Sequence, residues 1–393
     1  MCIRDRFFPD SSEQAALLQS LATFAVAFIA RPVGSAVFGH FGDRIGRKAT
    51  LVAALLTMGL STVLIGLLPT HAQIGLWAPA LLALCRFGQG LGLGGEWGGA
   101  VLLATENAPP GKRAWYGMFP QLGAPIGFLL SAGIFLVLGR CLSQDDFLQW
   151  GWRIPFVASA LLVGLGLWVR LNIHETPDFK QALERKAPVR LPMWTVLRDH
   201  PVAMLLGTLG AFATFVLFYL MTVFSLGHGT AVLGYSREQF LLMQMAGMLF
   251  FALGIPLSAR YGDRWGTRRT MIVASVLIIG FGVLFAPLFQ PHSPWLVTAF
   301  LCLGLFLMGL TYGPCGTFLA EIYPVEVRYT GASLSFNLAG ILGAAPAPYL
   351  ATWLAERFGL VAVGYYLCLT AAATLCALVA LHRRALRLSQ RSA

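Results

Sequence analysis

Gly39-His40-Phe41-Gly42-Asp43-Arg44-Ile45-Gly46-Arg47-Lys48 sets turn glycines around one carboxylate and three cations. This G-x-x-x-D-R-x-G-R-K spacing suits a latch. The glycines let two helices and their tight turn approach closely, while Asp43, Arg44, Arg47 and Lys48 exchange partners or cap a neighbouring helix end. Charge placed there only to set topology would explain the cations but not Asp43. Four more ionisable residues, Arg31, Arg86, Glu96 and Arg153, fall inside or at the edge of long apolar runs. Within a bilayer such groups are costly and by default functional. Arg86 and Glu96 are ten residues apart on one helix, about 15 Å along its axis, so they do not pair directly. Arg86 reads as a substrate-anion or counter-charge site and Glu96, beside Trp97, as a proton carrier; the plainer reading is that both snorkel to an interface. Gln121, Tyr219, Tyr312, Tyr323 and Asn337 are polar or aromatic candidates for a cavity wall, with helix packing as their simpler role.

The elements that position these residues are apolar. Of 393 residues, 57% are hydrophobic and 11% charged, too few charges to wet a soluble body of this size. Apolar runs near 15–38, 49–69, 76–104, 117–139, 152–171, 201–226, 239–259, 270–289, 295–320, 329–354 and 359–381 are each long enough to cross a bilayer as a helix. The expected fold is an all-α polytopic membrane protein with eleven spans in a lipid bilayer. The net charge of +11 does not indicate nucleic acid, because the cations lie between the apolar runs. Seven scattered cysteines and seven scattered histidines give no disulfide framework and no metal-ligand spacing. Gly90-Leu91-Gly92-Leu93-Gly94-Gly95 matches the dinucleotide pattern, yet no strand precedes it; with Gly98 and Gly99 it reads as a close helix-packing face. No nucleophile triad, P-loop or paired carboxylates are present, so neither an enzyme nor a bound cofactor is expected.

The chain repeats itself. Gly42-Asp43-Arg44-Ile45-Gly46-Arg47-Lys48 returns as Gly262-Asp263-Arg264-Trp265-Gly266-Thr267-Arg268 at an offset of 220. Glu106-x-x-Pro109-x-x-x-Arg113 returns as Glu321-x-x-Pro324-x-x-x-Arg328 at an offset of 215. Two different elements recurring in order indicate a duplicated half. The second G-D-R element follows two spans of its half and the first follows one, so a 6+6 bundle lacking its first helix is expected, with eleven of twelve spans present. The division is residues 1–171, a linker at 172–200 with an amphipathic stretch around Phe179–Lys186, a second half at 201–382 and a basic tail at 383–393. Connections on one side carry twenty Lys or Arg, against Arg140, Arg237 and Arg357 on the other, which places the first set and the C-terminus in the cytoplasm.

Ala30-Arg31-Pro32-Val33-Gly34, the Gly39–Lys48 segment, Gly94-Gly95-Glu96-Trp97, Trp150-Gly151-Trp152-Arg153-Ile154-Pro155 and Glu321–Gly331 resemble the metabolite:proton symporters of the major facilitator superfamily. The likeness runs from Phe7 to about Leu381. It implies a secondary transporter in the bacterial inner membrane, working as a monomer by alternating access and moving a small organic anion or zwitterion with protons. The proton gradient would be its only coupling partner. In that reading Gly39, Asp43, Arg44, Gly46, Arg47, Lys48, Asp263, Arg264 and Arg268 form the cytoplasmic gate. Arg31, Arg86, Glu96, Trp97, Gln121, Tyr312 and Asn337 serve substrate or proton, and Glu106, Arg113, Arg153, Glu321 and Arg328 hold the loops. Thr267 departs from the resemblance, since an arginine is expected there, and this weakens the second latch. A non-transporting membrane sensor or subunit and an inactive truncated fragment are the alternatives to weigh; a sensor would be expected to carry a sizeable soluble domain, whereas the longest connection is the linker at 172–200.

Overall fold

The computed structural model describes residues 7, 13–172, 189, 191–290 and 293–392. Among them are eleven long helices: α1 (Glu13–Arg44), α2 (Arg47–Leu67), α3 (Trp77–Glu106), α4 (Arg113–Cys141), α5 (Gly151–Leu171), α6 (Pro201–Ala231), α7 (Arg237–Trp265), α8 (Thr267–Val283), α9 (Pro294–Glu321), α10 (Val325–Phe358) and α11 (Leu360–Ser392). By length and composition, eight helices of the described residues can cross a membrane; α1, α3 and α8 are not among them. α3 is diluted by its glycines and by Arg86 and Glu96, although 30 residues rise about 45 Å. α8 stops at 17 residues and is followed by a short helix, Phe285–Leu288. The amphipathic stretch around Phe179–Lys186 lies outside the described residues.

Two equivalent glycines end α1 and α7. Gly46 has φ 130° and Gly266 has φ 92°, values that a residue with a Cβ adopts poorly. Each reverses the chain in a tight turn and starts the next helix without a side-chain cap. Proline and small residues shape the later helices: α10 breaks between its segments Arg328–Ala344 and Ala347–Phe358, at Ala345-Pro346.

α1 lies along α3, which also packs on α2, while α2 packs on α5. In the later part of the chain α7 lies along α9, α8 on α11, and α6 against α10 and α11. Two seams join the groups, α1 with α10 and α4 with α7 and α9. The glycine run of α3 does what its composition suggests: a Cβ at Gly90 would sit 2.1 Å from the Ala27 carbonyl oxygen, and one at Gly94 would sit 2.0 Å from that of Arg31. Helices in lipid gain from such backbone approach because apolar burial offers little between them. α6 and α9 are buried over most of their length; α4 and α5 are almost bare.

Candidate functional site

At one end of the bundle, called here the latch end, Asp43 stands past the apolar run of α1 and is almost wholly buried. Its Oδ1 accepts from the Tyr329 amide at 3.1 Å, and its Oδ2 from the Thr330 amide at 3.0 Å and hydroxyl at 2.8 Å. The carboxylate thus caps the first turn of the helix beginning at Arg328, where orphan N–H groups and the helix dipole favour negative charge. Arg47, with no exposed surface, donates to Asp43 Oδ1 at 3.3 Å, to the Gly42 carbonyl at 2.8 Å and to the Val325 carbonyl at 3.2 Å. Its Nε also faces Glu106 Oε2 at 3.6 Å, and Arg328 reaches Glu106 Oε1 at 3.1 Å. Burial pushes the Asp43 carboxyl up to about 6, opposed by Arg47 and by the hydrogen bonds from Thr330 and Tyr329. The Tyr329 ring fills a socket of glycines: a Cβ at Gly42 would meet it at 2.3 Å and one at Gly99 would meet its hydroxyl at 2.4 Å. That hydroxyl donates to the Gly95 carbonyl at 2.7 Å.

The second copy repeats the cap and omits the cation. Asp263 accepts from the Ala114 amide at 2.8 Å and the Trp115 amide at 3.0 Å, capping α4. Each aspartate therefore caps a helix of the other group. Where Arg47 fills the first latch, Thr267 donates a single hydrogen bond to Glu321 Oε2 at 2.8 Å. A cavity of about 600 Å³ opens beside it, lined by Arg113, Asp263, Thr267, Arg268 and Glu321.

Between the groups, Arg31 lies over the Phe28 ring at 4.2 Å, and the Tyr219 ring packs edge-on against the same Phe28 at 6.1 Å, with Tyr312 nearby. Its Nε is buried without a hydrogen-bond partner, and among the described residues no carboxylate lies within ion-pair distance. Trp97 stacks on Phe336 at 3.5 Å and donates to Gln121 Oε1 at 2.8 Å; Gln121 in turn donates to the Tyr312 carbonyl at 2.9 Å. Nearer the latch, Asn337 donates to Ser35 Oγ at 2.8 Å, to the Ser333 carbonyl at 2.9 Å and to the Gly94 carbonyl at 3.2 Å. Gln121 and Asn337 are thus buried and brace neighbouring helices.

Other candidates stand apart. Glu96 is ion-paired with Arg170 of α5, which also donates to the Leu51 carbonyl at 3.2 Å. Arg86 donates to Gln89 at 3.0 Å, and Gln89 to Thr62 of α2 at 2.8 Å. Arg153 caps the C-terminal end of α2 through the Gly66 and Leu68 carbonyls at 2.8 and 2.7 Å. Lys48 donates to the Leu171 carbonyl at 2.7 Å; Arg44 is exposed beside His40 at 3.2 Å, and Arg264 is exposed on α7. Gly39 packs against Thr330, where a Cβ would lie 2.7 Å from the hydroxyl. Sequence reasoning missed Ser35, Arg170, Tyr329 and Thr330. A serine or threonine inside a helix carries no signal of a cross-group bond, and Arg170 looked like one more topology-setting cation.

At the far end, Arg140 of α4 and Glu238 of α7 form an exposed ion pair beside a cavity of about 750 Å³. Two helix groups that cap each other reciprocally at one end, with a cavity between α4, α5 and α7 toward the other, have the architecture of a membrane transporter. The chain belongs to the Major Facilitator Superfamily, whose family model matches residues 11–334 and 230–392. It is similar to the inner membrane metabolite transport protein YhjE of Escherichia coli K12, 56% identical over 381 residues covering 96% of this chain and 87% of that protein. The shikimate transporter of the same organism is 36% identical over 359 residues, 90% of this chain and 81% of that one. The proton:xylose symporter XylE shares the fold, with a TM-score of 0.78 over 97% of this chain and 90% of that chain at 20% identity. The protein is accordingly a multi-pass membrane transporter with the 6+6 major facilitator architecture, and not an enzyme.

Proposed function

We propose that the protein imports a small organic acid or zwitterionic metabolite across the bacterial inner membrane by proton symport, working as a monomer with its C-terminus in the cytoplasm. The observation that carries this reading is Arg31: a cation inside the bundle, beside Phe28, Tyr219 and Tyr312, with no carboxylate of the described residues within ion-pair distance. An uncompensated charge at membrane depth is expensive. A substrate carboxylate supplies the missing partner through charge-assisted hydrogen bonds, and the aromatic walls suit an unsaturated ring or an alkylated ammonium group. Relatives named as a shikimate transporter and a proline/betaine transporter fit such cargo. The two halves, 1–171 and 201–382, rock about the Arg31 site, and the reciprocal aspartate caps form the cytoplasmic gate. Glu96 carries the proton: its Oε2 is buried without a hydrogen-bond partner, and protonation would release Arg170.

The test is uptake of labelled shikimate, proline and glycine betaine into proteoliposomes at an external pH of about 5.5 and an internal pH of about 7.5. Arg31→Gln should lower uptake of the accepted solute at least a hundredfold, and Glu96→Gln should abolish its dependence on the pH gradient while exchange continues. Uptake of none of the three, or full uptake by Arg31→Gln, would overturn the reading.

A further inference from the structure

Lys48 and Arg268 stand at equivalent positions of the two latches, each two residues past its turn glycine. Their surroundings differ. Lys48 donates to the carbonyl of Leu171, where α5 ends. α2 packs on α5 as α8 packs on α11, but α11 runs on to Ser392, so its carbonyls at this level are taken up within its own helix. Arg268 is left over. Its Nε is buried without a hydrogen-bond partner, and among the described residues no carboxylate lies within ion-pair distance of it. A guanidinium held in this way has donors to spare and a charge to neutralise.

Arg268 and Glu321 line two cavities at once. The cavity of about 600 Å³ beside Asp263 also holds Arg113 and Arg269, and a second, of about 500 Å³, holds Arg198, Asp199 and Arg384. Five guanidiniums therefore face three carboxylates, two of which are already engaged: Asp263 by the amides of Ala114 and Trp115, Glu321 by the Thr267 hydroxyl. α8 begins here with no side-chain cap, which adds the positive end of its dipole. A surplus of cations arriving from α4, α8 and α11 suits a tetrahedral anion, whose oxygens accept from several directions, better than a flat carboxylate, which accepts in one plane. The charge of a phosphate group, between about −1 and −2, matches that surplus. Both cavities leave room for whatever bears it.

We propose that the junction of these cavities, at Arg268, is a binding site for a phosphate group, presented by an anionic lipid headgroup or free in solution. Held by Arg113 of the first half and Arg268 of the second, the phosphate ties α4 to α8 beside the Asp263 cap, on the seam where Thr267 stands in place of a cation. Neither Arg31 nor the identity of the transported solute enters this site.

Binding of two radiolabelled probes, orthophosphate and dioctanoylphosphatidylglycerol, is measured by equilibrium dialysis on the purified chain in dodecylmaltoside, with empty micelles as the baseline, at pH about 7 and an ionic strength held constant with chloride. At least one probe should bind saturably, and Arg268→Gln should weaken it at least tenfold, Arg268→Lys less, and Arg357→Gln, at the far end, not at all. Binding of the lipid alone assigns the site to a headgroup; binding of orthophosphate assigns it to the phosphate itself, whatever carries it. Saturable binding of neither probe, equal binding by Arg268→Gln and Arg357→Gln, or equally tight binding of dioctanoylphosphatidylcholine in place of the anionic lipid would overturn the site. Arg269→Gln and Arg384→Gln, both exposed, keep the test decisive if Arg268→Gln does not fold: at least one should weaken binding threefold, and full binding by both would overturn the proposal. At saturation the bound probe should slow amide exchange at Ala114 and Trp115 at least threefold and leave Tyr329 and Thr330 unchanged. Unchanged exchange at Ala114 and Trp115 would overturn the tie between α4 and α8.

Discussion

The two latches share a backbone device and differ in their electrostatics. In each, an aspartate following a glycine caps a helix of the opposite half: Asp43 at Tyr329 and Thr330, Asp263 at Ala114 and Trp115. The first adds Arg47, Glu106 and Arg328 in a buried chain of charges, together with a tyrosine seated in glycine. The second has Thr267 on Glu321 and a cavity where a guanidinium would fit. The cap recurs in both, and the residue after the turn glycine, Arg47 in one and Thr267 in the other, divides the seam into a strong side and a weak one. Opening of the latch end should therefore begin along α4 and α7, with α1 and α10 parting later.

Amide exchange separates the two, because each aspartate protects its own pair of N–H groups. Arg47→Leu should have the largest effect. It leaves Asp43 and Glu106 buried with less compensation, at a cost of about 3–5 kcal/mol, and exchange at Tyr329 and Thr330 should rise at least a hundredfold. An increase under threefold would mean that the charges add nothing to the cap. In the unmodified protein, Ala114 and Trp115 should exchange about tenfold faster than Tyr329 and Thr330 after correction for intrinsic rates. Thr267→Arg should narrow that gap by filling the cavity between Asp263 and Glu321, and equal rates before the substitution would remove the asymmetry altogether.

Acidity provides the third and smallest lever. Asp43 binds a proton near pH 6 when latched, against an ordinary value of 3.8. The latched state therefore holds more protons between those values, and linkage favours latching as pH falls through 6. Corrected exchange at Tyr329 and Thr330 should slow by up to about tenfold between pH 7 and pH 5. Asp43→Asn should lose that dependence, while Ala114 and Trp115 should show little of it.

Much of this was legible in the sequence, for physical reasons. Helices in lipid must satisfy their own backbone, so run length located the long apolar helices, eight of which among the described residues are long and apolar enough to cross a membrane, and the 220-residue offset paired Asp263 with Asp43 before any contact was known. Thr267 stood out for the same reason. What stayed hidden was partnership. Asp43 binds backbone amides, which every residue has, and Glu96 meets Arg170 across 74 residues with no local pattern to announce it. Gln121 and Asn337 looked like cavity groups because an amide inside a span suggests a ligand; in the structure both are buried and hydrogen-bond neighbouring helices. Arg86 and Glu96, read from one helix, turn to different neighbours, since ten residues of α-helix differ in direction as well as height.

The Tyr329 ring in its socket of Gly42, Gly95 and Gly99 also bears on leakage. A phenol seated against bare backbone behaves like a stopper with no loose edge: it fits, or it is out. Partial withdrawal would strand the Gly95 carbonyl that the hydroxyl now holds. Transporters built this way gain from a motion that is abrupt rather than gradual, and a methyl group added at Gly99 would do its damage by leaving the stopper ajar.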